Sequence, residues 1–172
     1  MSLHLARLEG SEAEAVFTMA GDIWPSAYGK ILSPGQIDYM LARMYHPGQI
    51  RRELAEGVDY RWIGCGERRL GFLAFGPAQA GEACPLHKFY LLPEEQGSGK
   101  GRAALALLIE LAARSGATSL ELRVNRHNTQ AIAFYQRNGF STYAEDLHEI
   151  GGGFAMDDFL MRRNLEEGRD GG

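Results

Sequence analysis

The sequence predicts a mixed α/β layer, in which β-rich strands alternate with helices that carry apolar stripes. The predicted order of elements is β-α-α-β-β-β-α-β-α-β-β. One stretch predicts it most directly: an apolar strand over 86–92 meets Pro93, passes a glycine-rich turn and enters a long apolar helix that ends near Arg114. No internal repeat and no long linker interrupts the pattern, so we expect a single domain over 1–172.

The first third of the chain predicts one strand and two helices, followed by a shorter helical piece over 50–55. The strand lies over 3–8, and a capping box of Ser11 and Glu14 opens the first helix. The first helix is expected to end at Trp24-Pro25. The second helix is expected to begin at Ser33-Pro34 and to stop at His46-Pro47-Gly48.

Aromatic residues on these helices have two interpretations. Trp24, Tyr28 and Tyr45 either line a substrate pocket or cover one face of the sheet. The covering role is the more common use of such residues, and we favour it.

The rest of the chain predicts a hairpin, the central strand and two further helices. The elements expected are strands over 58–65 and 70–75, a helix over 99–114 with Gly116 as its C-cap, a strand over 118–124, a turn and helix over 125–139, a strand from Phe140, a glycine loop over 151–153 and a final strand over 154–164. The tail over 165–172 is expected to be frayed.

Composition excludes several classes of function. Hydrophobic residues make up 45% of the 172 residues and charged residues 23%, which is typical of globular domains. A net charge of −4 argues against a nucleic-acid partner, and no apolar run is long enough to span a membrane. The opening residues lack the pattern of a signal peptide, so we expect a cytoplasmic protein.

Cysteine and histidine give no sign of a disulfide framework or a metal site. Cys65 and Cys84 lack C-x-x-C spacing, and we expect reduced thiols. No metal is expected, because metal-ligand spacing is missing among the five histidines, at positions 4, 46, 87, 127 and 148.

The glycine-rich turn predicts a phosphate-binding site. Gly97, Gly99 and Gly101 let the backbone close on a ligand, and the first-turn N–H groups of the following helix point toward it. Lys100 and Arg102 add positive charge at this position.

Three glycine-loop patterns compete, together with a loop that binds nothing. A Walker loop fails because Glu94 replaces its first glycine and Gly101 follows Lys100. A dinucleotide loop needs glycine where Arg102 stands, although Glu121 lies at the spacing of its ribose-binding acid. The third pattern, Q-x-x-G-x-G, is present in full and begins at Gln96.

A second segment carries chemistry over 124–140. Asn128 and Tyr135 are seven residues apart, so their side chains share one helix face. Taken alone, Asn128 is more simply a helix N-cap and Tyr135 a half-buried core aromatic.

Together the two motifs resemble the cofactor-binding motifs of the GCN5-related N-acetyltransferase (GNAT) superfamily. The resemblance covers about 86–143 and rests on Gln96, Gly99, Gly101, Asn128, Ala131, Tyr135 and Gly139-Phe140. The amino-terminal region and the ending GGGFAMDDFLMRR resemble a small bacterial branch. The resemblance implies a mostly antiparallel sheet with a splayed strand pair that forms an acetyl-CoA cleft. It also implies acceptor-side helices over about 1–57, a cofactor-binding core over about 58–145 and a closing strand over about 154–164.

The resemblance further implies acetyl-CoA as the cofactor and assigns residues to it. Backbone groups of Phe89 and Leu91 pair with the pantetheine arm, Asn128 hydrogen-bonds that arm, and Tyr135 protonates the departing thiolate. The diphosphate is assigned to the loop residues Gln96, Gly97, Ser98, Gly99, Lys100, Gly101 and Arg102. The amine attacks the thioester directly.

The general base stays open. Some relatives carry a glutamate where this chain has Arg123, and Glu121 lies one repeat earlier on the same strand face. Four further candidates, each more simply explained without catalysis, are His87, Tyr28, Asp157 and Asp158.

The function expected is acetyl transfer to a primary amine, of a small molecule rather than a peptide, since no extra peptide-docking module is evident. The alternatives are a CoA-binding regulator without catalysis and, less favoured, a nucleotide-binding protein. A homodimer is expected by analogy alone.

Overall fold

The computed structural model describes residues 2–165. The strands of this part of the chain are β1 Leu3–Arg7, β2 Asp59–Cys65, β3 Arg68–Phe75, β4 Ala83–Leu91, β5 Ser119–Asn125, β6 Ser141–Gly151 and β7 Phe154–Asn164. Its helices are α1 Ala13–Tyr28, α2 Pro34–Met44, α3 Pro47–Ala55, α4 Lys100–Arg114 and α5 Thr129–Arg137. Short 3₁₀ turns span Gly10–Glu12 and Pro93–Glu95.

The strands form a mixed, mostly antiparallel sheet in the order β1-β2-β3-β4-β5-β7-β6. Antiparallel pairs join β1 to β2, β2 to β3, β5 to β7 and β6 to β7, whereas β4 and β5 run parallel. The parallel register extends from Ala83 opposite Ser119 to Leu86 opposite Leu122. This confirms the predicted fold class. The splay of two strands stays a prediction.

The chain forms two compact units that interleave in sequence. Among the described residues, the first unit contains those up to Pro77 and 88–108, and the second contains 78–87 and those from 109 onward. The family motifs fall in both: the glycine loop lies in the first unit, whereas Asn128 and Tyr135 lie in the second.

Aromatic rings fill the core of the first unit. Trp24 of α1 and Tyr45 at the end of α2 are buried, with ring centroids 5.4 Å apart, and Tyr45 lies 6.0 Å from Phe72 of β3. Trp24 and Tyr45 therefore cover a sheet face, as favoured from the sequence. Tyr28 is only partly buried, and its hydroxyl lies 2.8 Å from that of Tyr90.

Gly71 of β3 permits a close approach to β4. A Cβ atom at this position would lie 2.1 Å from the carbonyl oxygen of Tyr90 and 2.9 Å from the Cα of Leu91. Only a residue without a side chain allows the two backbones to pack at this distance.

In the second unit, β5 alternates as predicted. Leu120, Leu122 and Val124 are buried, and the opposite face carries Glu121 and Arg123. Glu121 pairs with Arg162 of β7 and Arg123 with Asp146 of β6, so ion pairs cross the polar face.

Two predicted helix boundaries are wrong. The first helix does not end at Trp24-Pro25, because α1 continues to Tyr28 with Pro25 inside it. Proline removes the bond to the carbonyl four residues earlier, and that residue, Gly21, is exposed, so water can take its place.

The predicted capping box of Ser11 and Glu14 is also replaced by another contact. The carboxylate of Glu12 accepts the N–H of Glu9 at 3.1 Å, and α1 follows from Ala13.

The second helix stops before His46-Pro47-Gly48 as expected, since α2 ends at Met44, and the same residues begin α3. Its N-cap is His46, whose Nδ1 accepts the N–H of Gly48 at 3.1 Å. The helical piece predicted over 50–55 is therefore α3, which begins three residues earlier, and proline serves here as a first helical residue.

At the carboxy terminus, the predicted final strand is confirmed, whereas the first residue of the predicted frayed tail is ordered. Phe154–Asn164 is β7, as expected. Leu165, expected to be frayed, is buried and donates its N–H to the Thr118 oxygen at 2.9 Å. The remainder of the predicted tail, 166–172, lies outside the described residues. No helix among residues 2–165 is long and apolar enough to cross a membrane.

Candidate functional site

The glycine loop connects the 3₁₀ turn Pro93–Glu95 to the start of α4 at Lys100. Gly97 and Gly99 both have φ of +83°, a region that other residues adopt only with strain. A Cβ at either position would meet nothing within 4 Å. The backbone geometry therefore requires these glycines, and the space beside them is open to a ligand.

Side chains of the loop bind the protein itself. Gln96 donates from Nε2 to the carbonyl of Leu91 at 3.1 Å, and Ser98 Oγ lies 3.5 Å from the carbonyl of Glu95. The ammonium of Lys100 pairs with the carboxylate of Glu95. Lys100 was expected to add positive charge at the loop, and its ammonium is paired with Glu95, a carboxylate that it shares with Arg68.

The donors that we expect to face a diphosphate are backbone N–H groups. The amides of a helix's first turn lack a carbonyl partner within the helix, and α4 begins with Lys100, Gly101 and Arg102. Such a terminus binds anions through these N–H groups and the helix dipole. Arg102 is exposed and lies in the same turn.

Asn128 serves as the N-cap of α5. Its Oδ1 accepts the N–H of Ala131 at 3.2 Å, which is the structural role that the sequence favoured for it alone. The cap uses only the oxygen of the side chain. A bond from the amide nitrogen to a cofactor is compatible with this role and stays a prediction.

Tyr135 lies two turns into α5 and is 9% exposed. Its ring centroid is 5.3 Å from that of Phe134 and 5.4 Å from that of Phe140. The aromatic contacts fix the ring, and the role of its hydroxyl as an acid stays a prediction.

The predicted pantetheine contacts lie on β4. The Leu91 carbonyl oxygen already accepts a hydrogen bond from the Gln96 side chain. A cofactor would therefore bond the second lone pair of that oxygen or the N–H of Leu91. The backbone of Phe89 also lies on this strand.

Comparison with known proteins identifies the family. The sequence model of the acetyltransferase (GNAT) family matches residues 26–140, which include the glycine loop, Asn128 and Tyr135. The chain belongs to the acetyltransferase (GNAT) family.

Relatives and solved structures agree with this GNAT membership. YuaI of Bacillus subtilis (strain 168), called an uncharacterized N-acetyltransferase, is 40% identical over 136 residues, 76% of each chain. The PaiA N-acetyltransferase of Thermoplasma acidophilum, solved in complex with coenzyme A, has a TM-score of 0.79 at 21% identity, over 95% of this chain and 99% of that one. A GCN5-related N-acetyltransferase of Rhodopseudomonas palustris has a TM-score of 0.80 at 15% identity, over 95% and 96%.

The GNAT chain is therefore an N-acetyltransferase, and acetyl-CoA is its cofactor. The loop fits this cofactor, since open space beside two left-handed glycines and a row of first-turn amides suit a diphosphate.

Two candidate bases of this acetyltransferase are held in ion pairs. Glu121 accepts from Arg162 Nε at 2.7 Å and from the Tyr143 hydroxyl at 3.3 Å. Asp157 accepts from Arg126 Nε at 3.0 Å. Both carboxylates are therefore already bonded to arginine side chains of the protein.

Asp158 differs from both. It is 2% exposed, and its Oδ2 has no hydrogen-bond partner among the described residues. Burial raises the pKa of Asp158, and the charges of Arg123 and His148 oppose that rise. Of the two other candidates, His87 is exposed, and Tyr28 bonds Tyr90.

Two charged clusters escaped the sequence analysis. Buried Lys88 of β4 donates to Glu53 of α3 and to the Tyr60 hydroxyl of β2. Glu95 accepts from both Lys100 and Arg68. In the first cluster, Lys88 lies 35 positions from Glu53 and 28 from Tyr60, so no short sequence motif predicts these contacts. The second cluster could have been predicted, because an acidic residue lies directly before the glycine loop and a lysine directly after it.

Proposed function

We propose that this enzyme transfers the acetyl group of acetyl-CoA to a primary amine of a small molecule, by direct attack of the amine on the thioester. The observation that carries the proposal is the glycine loop, with open space beside Gly97 and Gly99 and with its side chains bonded to the protein. Family membership supplies the reaction class.

Each assigned residue has a proposed task. The amides of Gly97 through Arg102 bind the diphosphate, and backbone groups of Phe89 and Leu91 hold the pantetheine arm. Asn128 donates from its amide nitrogen to that arm while its oxygen caps α5. Acetyl-CoA supplies a thioester carbonyl that an unprotonated amine attacks.

Tyr135 is proposed as the acid. Its hydroxyl donates a proton to the thiolate sulfur as the carbon–sulfur bond breaks, a role that a positioned tyrosine can perform as a general acid. The contacts with Phe134 and Phe140 hold its ring in one orientation. Bringing the amine and thioester together lowers the barrier further, because orientation is fixed before reaction.

The experiment that tests this function is release of free thiol from acetyl-CoA with a panel of small primary amines and with amine-terminated peptides. We expect release with at least one small amine, together with a product heavier by one acetyl group in mass spectrometry. Release with peptides alone would contradict the small-molecule acceptor, and tight binding without release for any amine would contradict catalysis.

One observation favours a second function, that of a CoA-binding regulator. Two of the candidate bases, Glu121 and Asp157, are both paired with arginines. The same assay separates the two functions, because the regulator binds CoA and releases no thiol.

A further inference from the structure

Glu95 lies directly before the glycine loop, and Lys100 directly after it. The four residues between them are Gln96, Gly97, Ser98 and Gly99. The carboxylate of Glu95 is buried, with 4% of the residue exposed, and one of its oxygens receives the Lys100 ammonium. An ion pair therefore closes the loop across its two ends.

The other oxygen of Glu95 is also occupied. It accepts from the guanidinium of Arg68, the first residue of β3, while the Glu95 N–H donates to the Leu92 carbonyl at 2.9 Å. These cationic partners lower the pKa of Glu95, the Lys100 hydrogen bond most of all, so the carboxylate is charged at neutral pH. The carboxylate thus has a fixed position.

A loop with two left-handed glycines has many conformations of similar energy, since glycine is the least restricted residue. Binding a diphosphate through backbone amides requires the loop to adopt one of these conformations. Ordering the loop on binding lowers the affinity, unless the free protein already holds that conformation. A clamp across the ends of the loop provides that preorganisation.

We propose that Glu95 is a positioning residue of the cofactor site, whose ion pair with Lys100 holds the glycine loop in the conformation that receives the diphosphate of acetyl-CoA. This inference rests on the proposed function. Lys100 then acts through Glu95, and its ammonium is not a direct ligand of the phosphates.

The two roles of Lys100 predict opposite effects of removing Glu95. If the pair organises the loop, Glu95→Gln weakens binding of coenzyme A, by about tenfold for an interaction of this kind. If Glu95 only neutralises Lys100 and Arg68, the same change frees both cations for the phosphates and tightens binding.

The experiment compares coenzyme A with pantetheine, which lacks the diphosphate, by titration calorimetry. We expect Glu95→Gln to raise the Kd for coenzyme A about tenfold and to leave that for pantetheine unchanged. Glu94→Gln is the matched control, because Glu94 is exposed, carries the same charge and lies one residue away. Unchanged or tighter coenzyme A binding in Glu95→Gln, or equal weakening of both ligands, would overturn the proposal.

A double-mutant cycle identifies the partner. Glu95→Gln, Lys100→Gln and the double variant should weaken coenzyme A binding equally, whereas Arg68→Gln should have a smaller effect. Additive effects would contradict the clamp. If Glu95→Gln does not fold, Lys100→Gln breaks the same pair from its more exposed end.

Hydrogen exchange tests the loop without any ligand. The amides of 96–102 should exchange faster in Glu95→Gln than in Glu94→Gln, and equal rates would overturn the clamp. This readout also separates the inference from the proposed function. A wild-type protein that releases no thiol with any amine would contradict catalysis and leave the exchange difference intact.

Discussion

The ammonium of Lys88 lies 3.0 Å from Oε1 of Glu53 and 2.7 Å from the hydroxyl of Tyr60, inside the first compact unit. Only 6% of Lys88 is exposed, and its charge also lies 5.0 Å above the Tyr45 ring. Burial lowers the pKa of Lys88, and the neighbouring carboxylate opposes that change. Each charge is therefore retained only because the other is present.

Lys88→Met should destabilise the protein. The change leaves Glu53 largely buried without its counter-charge, at a cost of about 3 kcal/mol, as for other broken buried pairs. Chemical unfolding of the variant measures the loss. Lys88→Met combined with Glu53→Gln should recover part of it, because the lone charge is then removed, and a single variant as stable as the wild type would contradict the account.

Asp158→Asn should flatten the pH dependence of stability. A carboxyl whose pKa is raised on folding binds its proton more tightly in the folded state. The free energy of unfolding then falls as pH rises from the unfolded value, about 3.9, through the folded one, and is constant above both. We expect Asp158→Asn to lose this fall and to unfold at a higher temperature at pH 7.

The matched control is Asp157→Asn, next in the chain. Its carboxylate bonds Arg126 on the surface, so the variant should gain no stability at pH 7. Parallel curves for wild type and Asp158→Asn between pH 3.5 and 7.5 would contradict the effect of burial on Asp158.

Tyr135→Phe should lower turnover at saturating substrates by at least about a hundredfold while leaving the affinity for acetyl-CoA nearly unchanged, because general acid catalysis commonly contributes that much. Steady-state kinetics across pH measures it. Tyr143→Phe is the control, since this exposed tyrosine lies outside α5, with its hydroxyl bonded to Glu121 and its ring 4.1 Å from the Arg162 guanidinium. Equal turnover of Tyr135→Phe and wild type at every pH would remove Tyr135 as the acid.

Gly99→Ala should weaken coenzyme A binding beyond its effect on folding. Alanine at φ of +83° costs about 1–2 kcal/mol of stability, and its methyl group would occupy the open space beside the loop. Gly81→Ala is closely matched, with φ of +86° and nothing within 4 Å, but lies outside the motif. Calorimetry should show loss of binding for the first variant alone, and equal affinities would contradict the assigned loop.

The sequence predicted most of the fold because local rules governed it. Ser33 was predicted to begin the second helix, and its hydroxyl accepts the N–H of Gln36 as the N-cap of α2. The glycine loop lies between β4 and α4, as expected. Family membership is confirmed by comparison, whereas the cytoplasmic location, the homodimer and the roles of single residues stay predictions.

What escaped prediction depends on tertiary contacts. The continuation of α1 through Pro25 is stabilised by the buried residues around it, Ile23 and Trp24, which outweigh one lost hydrogen bond. The pair of Lys88 and Glu53 joins a strand and a helix that are distant in sequence, and a charged residue on a strand normally indicates exposure to solvent.

The contact at Gly71 also limits how this acetyltransferase tolerates change. Any side chain there would collide with the peptide between Tyr90 and Leu91 and push that stretch of β4 out of place. If β4 holds the pantetheine arm as proposed, an altered residue at position 71 of β3 would weaken the binding of that arm. In laboratory evolution that screens for new acyl donors, position 71 should tolerate no substitution. Substitutions that improve activity should occur at other positions along the strand.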